Sequence, residues 1–212
     1  MDDRTARARI RDAAIECFAD SGVAGTSVRE IAGRAGVSAG LVMHHFGSKD
    51  NLRVACDEHV AATIRSQKGS AMGQGAAFDP VSSLRASAGG PPLIRYLART
   101  LVDGSPHVAE LVDELVEDAI EYIELGVTTG LIMPSDRPRE RAIVLTLWSL
   151  GSVVLHEHVE RLLGVDMTAD LTADPKRSAP YVQAVLDLLT GFITPTTREL
   201  LTQAFGDGQE TR

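Results

Sequence analysis

Aromatic residues are scarce, at 4% of 212, and period-two runs of β-branched residues are absent. Both count against a β-sandwich or barrel, whose half-buried strands favour those residue types. There are only two cysteines, Cys17 and Cys56. A disulfide framework needs more of them in a smaller chain. Each lies in an apolar helical pattern and reads as a packed, reduced thiol, with a redox sensor as the alternative. No apolar run reaches about 18 residues, so no membrane span is expected. The opening Met1-Asp2-Asp3-Arg4 is polar, and no apolar stretch with a cleavage site follows. That predicts a cytoplasmic chain rather than a secreted one. A nucleophile elbow, phosphate loop, dinucleotide fingerprint and metal-ligand run are also missing, so neither an enzyme nor a cofactor is expected. His44 with His45, and His156 with His158, have the wrong spacing to share a metal on one helix face.

An excess of basic charge is lacking too: the formal net charge is −8. Its distribution is uneven. Residues 61–212 carry 13 basic and 20 acidic side chains, whereas residues 4–53 carry eight and five, a local balance of +3. Local placement governs partner choice more than the sum does. The 44% hydrophobic content suffices for a sizeable core, in one large domain or two small ones.

What is present is helical punctuation. Ile10, Ala14, Cys17 and Phe18 form an apolar stripe in a helix over Thr5–Asp20, stopped by Gly22. Thr26 or Ser27 caps a short second helix, Ser27 making a capping box with Glu30, and Gly36 ends it. Ser38 caps a third helix through Phe46, and Ser48 a fourth over Lys49–Lys68. Residues 69–79 read as a linker, and Ala88-Gly89-Gly90-Pro91-Pro92 as a break. Helical segments follow near 80–87, 93–102, 106–132, 138–163 and 179–205, with turns at Met133–Asp136 and 164–176. Pro138 suits a first helical turn, and Pro195 should kink or split the last helix. The tail 206–212 should fray. The reading is all-α, with about nine helices. Residues 1–48 form a three-helix bundle with a helix-turn-helix, 49–68 a connecting helix, and 69–212 a larger helical domain.

Ser27–Phe46 is two short helices around a glycine turn. That is the geometry of a DNA-reading unit, and equally of a structural helical hairpin. Ser38 would leave free N–H groups at an outward helix end, which attracts phosphate. Ala39 and Gly40 are small enough to let that end approach a groove.

Residues 5–60 resemble the N-terminal DNA-binding domain of the TetR family of regulators. The resemblance rests on Ile10, Ala14, Phe18, Gly22, Thr26-Ser27-Val28, Ile31-Ala32, Ala35-Gly36-Val37-Ser38, Gly40, His45-Phe46, Ser48-Lys49 and Leu52. It implies phosphate contacts from Thr26, Ser27, His45 and Lys49, and groove contacts from Arg29, Ser38, Ala39, Gly40 and His44. Met43 stands where the family usually has a phosphate-binding Tyr, so one contact is lost. Specificity then leans on Arg29, His44 and DNA shape.

The resemblance further implies that 69–212 is a ligand-binding and dimerisation domain, with a ligand cavity among its middle helices and Tyr96, Leu97, Leu101, Tyr122, Met133 and Trp148 as candidate lining. It implies a homodimer through the last two long helices. Their apolar faces are Ile143, Leu147, Leu150, Val154 and Leu155 on one, and Val182, Val185, Leu186, Leu189 and Ile193 on the other, with Gly151 and Gly191 permitting close approach. Glu110, Asp113, Glu114, Glu117, Asp118, Glu121 and Glu124 form an acidic stripe that reads as a solvated face, or alternatively as a cation site. The expected partners are operator DNA and an unidentified, mostly apolar effector that releases a repressor. An activator fits the sequence equally. The rival class is a helical ligand-binding protein or enzyme that never touches DNA.

Overall fold

Three serines set the N-terminal architecture. Ser27, Ser38 and Ser48 stand in extended backbone just ahead of a helix, and each hydroxyl oxygen accepts from the N–H three residues on: Glu30 at 3.1 Å, Leu41 at 3.2 Å and Asn51 at 3.0 Å. Each bond satisfies one N–H that the first helical turn leaves open. The computed structural model describes residues 3–80, 82, 91–103, 107–169, 171 and 173–205. Among these there are ten α-helices and no strand: α1 Asp3–Gly25, α2 Val28–Ala35, α3 Ala39–Phe46, α4 Lys49–Gly73, α5 Pro91–Val102, α6 His107–Thr128, α7 Pro138–Val154, α8 His156–Leu163, α9 Pro175–Leu188 and α10 Pro195–Phe205.

Several helix bounds differ from the sequence expectation. Gly22, at φ 70° and ψ 167°, is non-helical and interrupts α1 where the sequence places a stop, and a short helical run to Gly25 continues beyond the kink. The expected linker at 69–79 is wrong at its start, because α4 runs on to Gly73 and a 3₁₀ turn follows at Gly75–Ala77. Packing explains this. Ala71 is buried, and the Thr129 hydroxyl donates to the Met72 carbonyl at 2.7 Å. A Cβ on Gly126 of α6 would lie 2.8 Å from the Met72 sulfur and 2.7 Å from Ile132. Only glycine lets α4 and α6 approach there, and that tertiary contact overrides the weak helix propensity of Gly69 and Gly73. The helix expected over 106–132 ends at Thr128, because Leu131–Met133 turns away to pair with Phe192–Thr194. Met133 N–H donates to Phe192 at 2.7 Å, and Thr194 N–H to Leu131 at 3.1 Å.

The helix expected over 138–163 breaks at Leu155 into α7 and α8, which bend by 74°. That expected over 179–205 starts earlier, at Pro175 within the expected loop, and is split into two helices, one of the two outcomes expected of Pro195. Pro195 occupies the first turn of α10, where its missing N–H costs nothing, rather than the interior of one long helix. The segment expected near 80–87, the break at 88–90 and the tail 206–212 lie wholly or largely outside the described residues.

Three apolar clusters hold the fold. The first joins Ile10, Ala14, Phe18, Ile31, Val42, Phe46, Leu52, Cys56 and Val60 of α1–α4, and it includes Tyr96 of α5. The second sets Ala61 of α4 against Leu97, Leu111 and Leu115. The third gathers Ile123, Leu131, Ile132 and Ala142. No single described helix is long and apolar enough to cross a membrane. The acidic stripe of α6 is mostly exposed, but Asp118 is buried and takes the Arg65 guanidinium of α4 at 2.9 Å.

Candidate nucleic-acid interface

The reading unit is built on Gly36. At φ 66°, ψ 40° it occupies the left-handed region, which a side chain resists. It turns the chain within three residues from the end of α2 to the cap of α3. Val37 N–H donates to Ala32 at 2.9 Å, and the half-buried Val37 side chain packs against the first cluster. Buried Val42 and Phe46 fix one face of α3 on that core, so its opposite face is free for a partner.

Five of the nine expected DNA-contact residues, Ser27, Arg29, Ser38, Gly40 and His44, are exposed at the surface of this unit, and Ala39, His45 and Lys49 are half-buried. Ser27 and Ser38 accept N–H bonds with their oxygens, which leaves the hydroxyl hydrogen able to point outward. Gly40 is helical, and a Cβ there would meet only the Ser38 hydroxyl, at 3.8 Å. Nothing inside the protein requires its smallness. His45 is half-buried, with its ring edge-on to His44 and Phe46 at centroid separations of 5.6 and 6.3 Å. Met43 is exposed beside it.

Two residues differ from expectation. Thr26 is buried, and its hydroxyl donates inward to the carbonyls of Gly22 (2.8 Å) and Cys17 (3.1 Å). It therefore clips the end of α1 and has no proton left for a phosphate. The Lys49 ammonium donates to the carbonyls of Val23 at 2.8 Å and Thr26 at 3.1 Å. Two of its three donors hold the α1–α2 junction, leaving one for DNA. Sequence alone gave no sign of either role, since the partners are carbonyls, which every residue has.

The six candidate ligand residues are not brought together. Tyr96 is in the first cluster, fully buried, and its hydroxyl donates to Asp57 of α4 at 2.6 Å. It belongs to the support of the reading unit. Leu97 and Leu101 pack in the second cluster and Tyr122 in the third, while Met133 and Trp148 are exposed. A helical stripe tells which residues face inward but not which cluster they meet. A cleft of ≈ 360 Å³ lies between α1 and α4, lined by Arg7, Ala8, Arg11, Phe46, Ala55, Glu58 and His59, and none of the six touches it.

The Tyr96–Asp57 pair was invisible in the sequence. Burial pushes the Asp57 carboxyl above the usual carboxylate range, while the Tyr96 hydroxyl and Arg53 pull it back. Arg53 is itself buried, its Nε 3.8 Å from Asp57, and its Nε and Nη2 have no hydrogen-bond partner. The pair thus ties α4 to α5 within a low-dielectric core, where a hydrogen bond to a charged group is strong and costly to lose.

Comparisons with known proteins agree with this geometry. Residues 10–56 match the family described as bacterial regulatory proteins, tetR family, and residues 91–194 match the tetracyclin repressor-like C-terminal domain. The chain is 43% identical over 157 residues to the HTH-type transcriptional regulatory protein RaaS of Mycobacterium tuberculosis, covering 73% of this chain and 72% of that one. A γ-butyrolactone receptor described as ArpA-like shares the fold at a TM-score of 0.60 and 24% identity, over 96% of both chains. So does SmeT, the repressor of the Stenotrophomonas maltophilia multidrug efflux pump SmeDEF, at a TM-score of 0.59 and 18% identity, over 97% of this chain and 96% of that one. The helix-turn-helix, the helical remainder and these likenesses together show that the chain belongs to the TetR family of DNA-binding transcriptional regulators.

Proposed function

We propose that the protein is a homodimeric repressor released from a palindromic operator by a small, mostly apolar ligand. Residues 1–48 read DNA, the helix from Lys49 transmits, and the remainder senses and dimerises. The observation that carries DNA reading is the start of α3. Its face away from the core presents Ser38, Gly40 and His44, and Gly40 costs helix stability without any internal packing reason. Clearance for a major groove supplies the reason. On this reading Arg29 and His44 contact bases, with Ala39 and Gly40 against the groove floor. Ser27, Ser38, His45 and the remaining Lys49 donor contact phosphate and set register.

Dimerisation is supported by exposed apolar residues on the last helices. On α7, Val144, Leu147 and Trp148 recur at helical spacing, exposed Leu155 follows at the break before α8, and Leu188 of α9 is 71% exposed. A patch of this kind on a regulator fits a two-fold mate, which sets two readers about one DNA turn apart. The ligand would enter beside the second cluster, where Leu97, Leu101, Leu150 and Val153 surround Ala61 of α4. Displacing α4 there moves the reader, and linkage then makes ligand and DNA oppose each other.

Selection of random duplex DNA by the purified protein, sequenced after several rounds at moderate salt, tests the reading. The expected outcome is enrichment of an inverted repeat. A folded dimer that enriches nothing, repeated after extraction of any co-purified ligand, moves the function to a ligand-binding protein without DNA contact.

A further inference from the structure

The α2–α3 turn is held from outside by a residue of α1. Arg9 reaches 26 residues along the chain, and its Nη2 donates to the Ala35 carbonyl at 2.5 Å and approaches the Gly36 carbonyl at 3.4 Å. The closing carbonyls of a helix have no partner in their own helix, and a cation is favoured at that end. Gly36 is in the left-handed conformation, and a Cβ on it would lie 3.4 Å from the same Arg9 nitrogen. Two residues further on stands Ser38, the cap of α3. Apart from Arg9, the turn has the Val37 and Gly36 N–H bonds and the half-buried Val37 side chain.

We infer that Arg9 is a positioning residue for DNA reading: from α1 it grips the last carbonyls of α2 and so fixes where the N-terminus of α3 stands. It acts through the turn. This inference rests on the proposal that α3 is the element that enters the groove. Both contacts come from one nitrogen, Nη2, whose two hydrogens can serve two adjacent carbonyls on a side chain that stays charged. The Gly36 contact is exposed and the Ala35 contact only part-buried, so water can reach these carbonyls once the grip is lost. Loss therefore loosens the turn without unfolding the bundle.

The test uses the full chain with Arg9→Gln and Arg9→Lys, and the operator enriched by the unmodified protein. Arg9→Gln is expected to lower operator affinity about tenfold or more, the loss of a charge-assisted bond. Affinity for random DNA and the slope of log affinity against log salt stay unchanged. Amide hydrogen exchange at Val37, Ser38 and Leu41 rises, while that of the α4 core amides holds. Arg9→Lys recovers part of each loss. A fall in specific and non-specific affinity together, with the salt slope reduced by about 0.9, would make Arg9 a phosphate contact and overturn the inference. Unchanged affinity and unchanged exchange would overturn it as well. If Arg9→Gln does not fold, Arg9→Lys decides by the same readouts. If no operator is enriched, the reading of α3 fails, and the exchange rates still decide whether Arg9 holds the turn.

Discussion

The two ends of the molecule treat their apolar residues differently. The N-terminal helices bury theirs in one cluster that Tyr96 of α5 completes: Ile10, Phe18, Ile31, Leu52 and Val60 are all at or near zero exposure. The last helices do not. In α7 only Ala142 and Thr146 are buried, α8 has no buried residue, and Val144, Leu162 and Leu188 are 65%, 68% and 71% exposed. At about 25 cal/mol per Å² of apolar surface, such exposure leaves much stabilisation unused in a single chain. The first cluster is thus covered within one copy, whereas the last helices leave apolar surface uncovered, which is the ground for the proposed dimer.

The largest expected effect breaks that contrast. Leu147→Glu with Leu188→Glu should turn the dimer into a monomer by sedimentation and lower operator affinity by two or more orders of magnitude. The same pair of charges should leave the thermal transition of the N-terminal core in place. A dimer of unchanged affinity would mean that the exposed face serves something else.

Next comes the tie between the two regions. Tyr96→Phe removes the donor to Asp57 and should cost about 1–3 kcal/mol in urea unfolding. Burial already raises the Asp57 carboxyl above its ordinary value, and the tyrosine opposes that rise. Without the hydroxyl the folded-state value climbs further. A raised carboxyl favours the fold below its unfolded value, and that advantage is lost as pH rises through the folded one. The cost of Tyr96→Phe should therefore be larger at pH 7 than at pH 4; an equal cost at both would uncouple the bond from Asp57 ionisation, and no cost at either would assign the bond no role.

Within the reader, effects should separate by kind. Arg29→Ala or His44→Ala should change sequence preference by about 1–3 kcal/mol at the affected base pair, read in competition binding. Lys49→Ala should weaken all sequences alike and flatten the salt dependence, and it should also lower the melting temperature, because the ammonium holds Val23 and Thr26. A drop in binding without a drop in melting would remove its structural role.

The smallest effect is the sharpest. Gly40→Ala meets nothing closer than 3.8 Å inside the protein and should stabilise α3 by up to about 1 kcal/mol. If the groove floor comes to Gly40, the same change should lower operator affinity. A more stable protein with undiminished affinity would place the groove elsewhere.

Local chemistry made the reader legible. A serine whose oxygen accepts from the N–H three residues on, a glycine at the turn and apolar residues three and four apart are short-range patterns, and α2, α3 and the start of α4 fell where those patterns put them. The other ends of helices were less legible because they depend on neighbours. Met72 packs on Gly126 and carries α4 past two glycines, while the pairing of Leu131–Met133 with Phe192–Thr194 ends α6 early.

Short-range chemistry therefore suffices for an all-helical reading, a helix-turn-helix between Ser27 and Phe46, and the family resemblance that nominates candidate DNA contacts. All of this lies within a few residues of chain, where propensity and capping act. Tertiary structure alone decided that Thr26 turns inward, that Lys49 and Arg9 grip backbone carbonyls, and that Tyr96 joins Asp57 in the core of the reader rather than a ligand cavity. Those partners are separated by up to 39 residues, and the carbonyls among them carry no sequence signature. Their choice is made when buried polar groups must find one another as water leaves.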